Sequence, residues 1–139
     1  MDAKVTWNSG LNFTGKAASG FDVPMDASVD HGGSGQGTSP MELILIGLGG
    51  CTAMDVISIL QKKRQDVTSF EVVLHGDRAT EHPKVYTDIT MEYIVTGHGV
   101  ELDALERAVE LSEGKYCSVN GMLKQSVNII TKCTVKEAQ

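Results

Sequence analysis

The stretch "SPMELILIGLGGCTAMDVISILQKKR", residues 39–64, decides the fold. Ser39 suits a helix N-cap, Pro40 the first helical position and Glu42 the third, so the segment opens on a capping box. The apolar run Leu43, Ile44, Leu45 and Ile46 follows. A helix is predicted from Pro40 to about Arg64, closing on Lys62, Lys63 and Arg64, cations that suit the negative end of its dipole. Its middle is apolar on nearly every side, which predicts a buried helix. Gly47, Gly49 and Gly50 run against that pattern, since each costs about 1 kcal/mol relative to alanine in a helix interior. Such a cost is expected where something must come close to the helix beside Cys51.

Short apolar and polar steps alternate on the N-terminal side. Val5 and Trp7, then "NSG" at 8–10, then Leu11 and Phe13 predict a hairpin, with more strand around Phe21 and Val23. The glycine-rich "DHGGSGQGTSP", residues 30–40, is predicted to be a loop. It lacks the GK[ST] of a P-loop and is no GxGxxG following a strand, so phosphate binding is not expected of it. On the C-terminal side two strands are predicted, joined by the turn "EHPK" at 81–84. In the second, Val85, Thr87, Ile89, Met91, Tyr93 and Val95 share one face. Leu102, Leu105, Ala108, Val109 and Leu111 then mark a helix with Gly114 as its C′ stop. "KYCSVNGMLKQ" predicts a short helical segment, and Val127 to Val135 a last strand. Strands, a long helix, a hairpin, a helix and a final strand predict an α+β fold of segregated elements in one domain spanning residues 1–139.

With 139 residues and a formal charge of −6, the chain offers no basic surface for nucleic acid or anionic membrane, and neither is expected as a partner. The longest apolar stretch is interrupted by Glu42, Asp55 and Ser58, and no signal-peptide pattern precedes it, so a soluble, cytoplasmic protein is expected. Three widely spaced cysteines with no CxxC suggest neither a disulfide scaffold nor a zinc site. A homodimer would help so short a chain to bury so apolar a helix.

Each cysteine has its own setting. Cys133 shares a strand face with Val127, Ile129, Thr131 and Val135, the place of a small hydrophobe. Cys117 follows a helix stop, sits near Lys115 and precedes a helical segment whose amides would favour a thiolate; plain packing is the comparable alternative. Cys51 lies about three turns inside the long helix, too deep for the dipole to do much. Asp55, one turn on, is a like charge for a Cys51 thiolate, so activation needs a cation or hydrogen-bond donor from elsewhere. A small buried residue at a tight helix contact is the competing reading.

The long-helix stretch, followed by "EGKYCSVNGML" at 113–123, resembles the OsmC/Ohr family of organic hydroperoxide reductases, in its small OsmC-like branch. The resemblance extends over essentially the whole chain. It implies an intertwined α+β homodimer with antiparallel sheets around the long central helices, where the three glycines admit a neighbouring helix and leave room for substrate. It also implies a peroxidatic Cys51 and a resolving Cys117, an organic hydroperoxide substrate, no bound cofactor, and an external dithiol as reductant. Where characterised members place a glutamate directly after the helix-start proline, this chain has Met41, and Glu42 is the nearest acid. Those members also use an N-terminal arginine; here no arginine precedes Arg64, and Lys16 in "FTGK" is the substitute cation, with His31 a possible hydrogen-bond donor. The alternative to a peroxidase is a binding module of the same fold, holding a small apolar ligand beside a weakly reactive Cys51.

Overall fold

A computed structural model describes residues 1–139, which fold as two compact units, residues 1–44 and 45–139. In the first unit, β1 (Ala3–Ser9), β2 (Asn12–Ala17) and β3 (Asp22–Met25) form an antiparallel sheet in that order. The predicted hairpin between β1 and β2 turns at Gly10, whose φ of +51° is left-handed, and the Trp7 indole N–H caps it by donating to the Gly10 carbonyl at 2.9 Å.

The glycine-rich loop after β3 holds an anion of its own. Asp26, 3 % exposed, accepts hydrogen bonds from the Ser34 hydroxyl at 2.6 Å, the Ala27 amide at 2.8 Å, the Asn12 side-chain amide at 3.2 Å and the amides of Ser34 and Gln36 at 3.3 Å. Gly33 makes this possible, because a Cβ there would sit 2.0 Å from the Ala27 carbonyl oxygen. Amides that might have cradled a phosphate are satisfied by a side-chain carboxylate. The Ser34 hydroxyl above all, with Asn12, Ala27 and Gln36, holds Asp26 well below the usual carboxylate range, against the opposing effect of burial. A depressed folded-state value stabilises the loop above the unfolded pKa and is lost as pH falls beneath it. Hydrogen exchange should therefore find the Ser34 and Gln36 amides protected at neutral pH and progressively less so below about pH 4. Asp26→Asn should accelerate their exchange by about tenfold or more at neutral pH; unchanged rates would show the loop is held by its glycines alone.

Helix α1 (Pro40–Lys62) passes from the first unit into the second, which continues through β4 (Asp66–Arg78), β5 (Tyr86–His98), α2 (Leu102–Leu111), a π-helical turn (Ser112–Tyr116), α3 (Ser118–Leu123) and β6 (Asn128–Glu137). β4 and β5 pair antiparallel across the predicted 81–84 turn. Leu48, Val56 and Leu60 of α1, Ile89, Met91, Tyr93 and Val95 of β5, and Leu105 and Ala108 of α2 form the core, each essentially unexposed. Burial of each large apolar side chain among these contributes roughly 1.5–3 kcal/mol.

Three expectations are corrected. β6 runs parallel to β5 in register Ile89↔Ile129 through Val95↔Val135, so the second sheet is mixed rather than antiparallel. The reason is the connection: the helical segment between the two strands is long enough for a crossover, which a parallel return requires. The inward face of β5 holds Ile89, Met91, Tyr93 and Val95 as expected, but Tyr86 is buried there while Val85 and Thr87 are exposed. The register shift where Asp77 faces Asp88 and Arg78 faces Tyr86 leaves Thr87 extra, and that bulge flips the alternation. Gly114 does not stop α2; it lies inside the π-helical turn that carries the chain on to Cys117. Helix α1, for which a covering partner is expected, is not enclosed within one chain. Only 28 % of its most apolar window is buried, leaving Ile46 60 % and Met54 74 % exposed. By length and composition alone it would also be able to cross a bilayer.

Candidate active site

The helix start forms as its sequence predicts. The Ser39 amide donates to Glu42 Oε1 at 2.9 Å and the Glu42 amide to Ser39 Oγ at 3.2 Å, a closed capping box. The Ser39 amide and hydroxyl hold the Glu42 carboxyl below its usual range. Lys16, on β2, is ion-paired with Asp22 at 3.1 Å across the strands, both side chains being half or more exposed. His31 shares a 2.7 Å hydrogen bond with Ser28 at the surface of the same unit. In the first unit each of these side chains thus has a local partner.

The second unit brings Cys51 and Cys117 together. Cys51 is half-buried on α1, and the buried Cys117 side chain lies close enough to interact with it. Of the glycines around Cys51, Gly49 answers a contact within the chain, since a Cβ there would lie 2.7 Å from the Leu74 Cδ1 of β4. Gly47 and Gly50 face open space. Within the chain, the close approach is therefore made at one glycine of the three.

Cys117 is the N-cap of α3, its sulfur accepting the Asn120 amide at 3.3 Å. The expectation that these amides favour a thiolate is corrected. Burial, then the neighbouring Cys51 thiol, outweigh the helix amides and push the Cys117 thiol up to about 11. At neutral pH it is a protonated donor facing the Cys51 sulfur. Cys133 is likewise pushed up to about 11, by burial and by the nearby Glu106, Glu113 and Glu110 carboxylates. It lies half-buried on β6 alongside Ile129, Thr131 and Val135, the packing position expected of it.

Polar residues, of which the sequence anticipates only Asp55, form two hydrogen-bonded groups near the pair. The Tyr93 hydroxyl donates to Glu113 Oε1 at 3.0 Å, the Thr131 hydroxyl donates to the same oxygen at 2.7 Å, and the Thr52 hydroxyl also reaches the Tyr93 phenol. Burial foremost pushes the Tyr93 phenol well above its usual value, so it is a permanent donor. Ser112 donates to Asp55 Oδ2 at 2.9 Å. For the Tyr93–Glu113–Thr131 group the one sequence signal is Tyr93 itself, a phenol in an aliphatic alternation, whose hydroxyl needs a partner once buried.

The chain has counterparts among known proteins. The family model described as "OsmC-like protein" matches residues 33–132. Protein YhfA of Escherichia coli (strain K12) is 49 % identical over 130 residues, covering 93 % of each chain. A crystal structure of a hypothetical protein from Aquifex aeolicus VF5 is 37 % identical and aligns over 99 % of this chain and 97 % of that one with a TM-score of 0.87. An organic hydroperoxide resistance protein OsmC from Legionella pneumophila, 14 % identical, aligns over 96 % and 95 % with a TM-score of 0.72, a likeness of fold alone. The family model, whose match spans both cysteines, and the long match to a 49 % identical relative make this chain a member of the OsmC-like protein family.

Proposed function

We propose that the protein is a thiol-dependent reductase of organic hydroperoxides, working as a homodimer in the cytoplasm. The observation that supports this reading is the interaction between Cys51 and Cys117, residues far apart in sequence whose thiols influence one another. The Cys51 thiolate attacks a peroxide oxygen; the O–O bond breaks, an alcohol leaves after taking a proton, and Cys51 becomes a sulfenic acid. The Cys117 thiol then attacks that sulfur, the S–S bond forms, and its proton leaves with the sulfenic oxygen as water. A dithiol supplies two electrons and two protons to restore both cysteines. No bound cofactor enters these steps. The apolar surroundings of Cys51 on α1 favour alkyl and aryl hydroperoxides over hydrogen peroxide.

The dimer follows from the uncovered apolar surface. Ile46 and Met54 on α1, with the open glycines 47 and 50, form a face that a second copy would cover, and Trp7 and Phe21 are exposed in the first unit as well. Static light scattering at micromolar concentration should report twice the chain mass of 14.9 kDa. A second reading, a module binding a small apolar ligand with a weakly reactive Cys51, is favoured by one observation. Lys16, the substitute cation implied by the resemblance, is engaged by Asp22. Turnover decides between them: with dithiothreitol, cumene hydroperoxide consumption should exceed that of an equal concentration of free thiol by at least about a hundredfold, as activated nucleophiles do. Equality with free thiol would leave the binding module.

A further inference from the structure

Asp55 and Ser112 take no part in the chemistry above, yet they join the two halves of the cysteine pair. Asp55 lies one helical turn after Cys51 on α1. Ser112, fully buried, donates its hydroxyl to Asp55 Oδ2 at 2.9 Å, while its carbonyl accepts the Cys117 N–H at 2.7 Å. The connection from Cys51 to Cys117 therefore runs through one turn of α-helix, one charge-assisted hydrogen bond and one π-helical turn. Ser112 is the first residue of that turn and Cys117 directly follows its last. π-helical turns are rare, occur mostly as single turns and are frequent at functional sites.

We infer that Asp55 and Ser112 are positioning residues for the thiol pair, the Asp55–Ser112 hydrogen bond fixing the π-helical turn so that the Cys117 sulfur stays against Cys51. A buried serine that merely satisfies its hydroxyl would affect global stability and leave the cysteine equilibrium of the folded protein alone. The inference rests on the thiol-pair reading of the site but not on peroxide reduction, so its test uses no peroxide.

The full chain, in a Cys133→Ser background, is equilibrated with mixtures of reduced and oxidised glutathione, acid-quenched and read by mass spectrometry. Each conversion forms one Cys51–Cys117 bond, reduces one oxidised glutathione to two thiols and transfers two electrons and two protons. The square of the reduced glutathione concentration divided by that of the oxidised form, taken at half-conversion, is the effective concentration of one thiol at the other. Asp55→Ala, a helix-compatible change, should lower it about tenfold, as loss of a charge-assisted hydrogen bond does. Ser112→Ala should act alike, and the double variant should be no worse than either single one. Asp55→Asn, whose amide oxygen still accepts from Ser112, should recover to within about threefold of the parent.

An effective concentration in Asp55→Ala within about twofold of the parent overturns the inference, as does additivity in the double variant. If Ser112→Ala fails to fold, the two Asp55 variants decide, and an asparagine no better than alanine counts against the idea. A parent protein that forms no Cys51–Cys117 bond at any glutathione ratio overturns it too. A parent that forms the bond yet consumes no peroxide ends the peroxidase reading and leaves this inference intact.

Discussion

Cys51→Ser should reduce dithiothreitol-driven consumption of cumene hydroperoxide to the background rate, a loss on the order of a thousandfold or more, as removal of an active-site nucleophile produces. Cys117→Ser should separate the two halves of the cycle. Its first turnover should persist, because Cys51 still meets the peroxide, and the sulfenic acid, lacking a resolving thiol, should then climb to the sulfinic acid. Intact mass after a few equivalents of peroxide should show two added oxygens on Cys51 in that variant and an internal disulfide in the parent. Cys133→Ser should behave as the parent in both measurements, since this half-buried strand thiol, pushed up to about 11, is almost wholly protonated at neutral pH. The high value at Cys117 gives a further signature. Iodoacetamide should modify it slowly at pH 8 and faster as pH rises toward 11, because only the thiolate reacts. Consumption undiminished in Cys51→Ser would place the chemistry elsewhere, and a Cys51–Cys133 bond in the parent would reassign the resolving thiol.

What could be read from the sequence were the features with a local cause. The capping box needs only Ser39 and Glu42 three residues apart, the inward face of β5 needs only its alternation, and Cys133 betrays its packing role by its strand neighbours. The cysteine pair was legible through family resemblance, in the contexts "GGCTAMDV" and "KYCSVNGM", and not through spacing. Where expectation failed, the deciding partner lay outside the local window. Nothing around Gly114 signals that α2 would loosen into a π-helical turn, because Asp55 holds its first residue from the other side of the sequence. The bulge at Thr87 depends on the pairing of Asp77 and Arg78 with β5. The thiolate expected at Cys117 was inferred from helix amides, a local effect, whereas burial against Cys51, a tertiary one, prevails. Asp26 is the mirror case: glycines around it suggested a loop, and only the fold shows that the loop's donors converge on its carboxylate.

Tyr93→Ala should cost about 3–5 kcal/mol of folding stability, the range for deleting a fully buried aromatic ring. Tyr93 is unexposed at the middle of β5, opposite Val72 on β4 and Cys133 on β6, so both neighbouring strands lose contacts with it. Its hydroxyl can be weighed separately. Tyr93→Phe keeps the ring and removes the donor to Glu113, yet Glu113 retains the 2.7 Å bond from Thr131, so the loss should be only about 1 kcal/mol. Urea unfolding of the three proteins, compared at equal slope, gives both numbers. The difference between them measures ring packing, and the smaller value measures the polar link between the sheet and the π-helical turn. If phenylalanine proved as damaging as alanine, the hydroxyl would be the dominant contribution, and Glu113 would have to depend on Tyr93 rather than on Thr131. If alanine cost less than about 1 kcal/mol, Tyr93 would not be the core residue its burial makes it. The expected ordering, with a large ring effect and a small hydroxyl effect, means that the sheet fixes the frame while single hydrogen bonds adjust the turn that carries Cys117. A reactive pair needs both: a frame stiff enough to keep the sulfurs in reach, and a turn whose position a change of one bond can still alter.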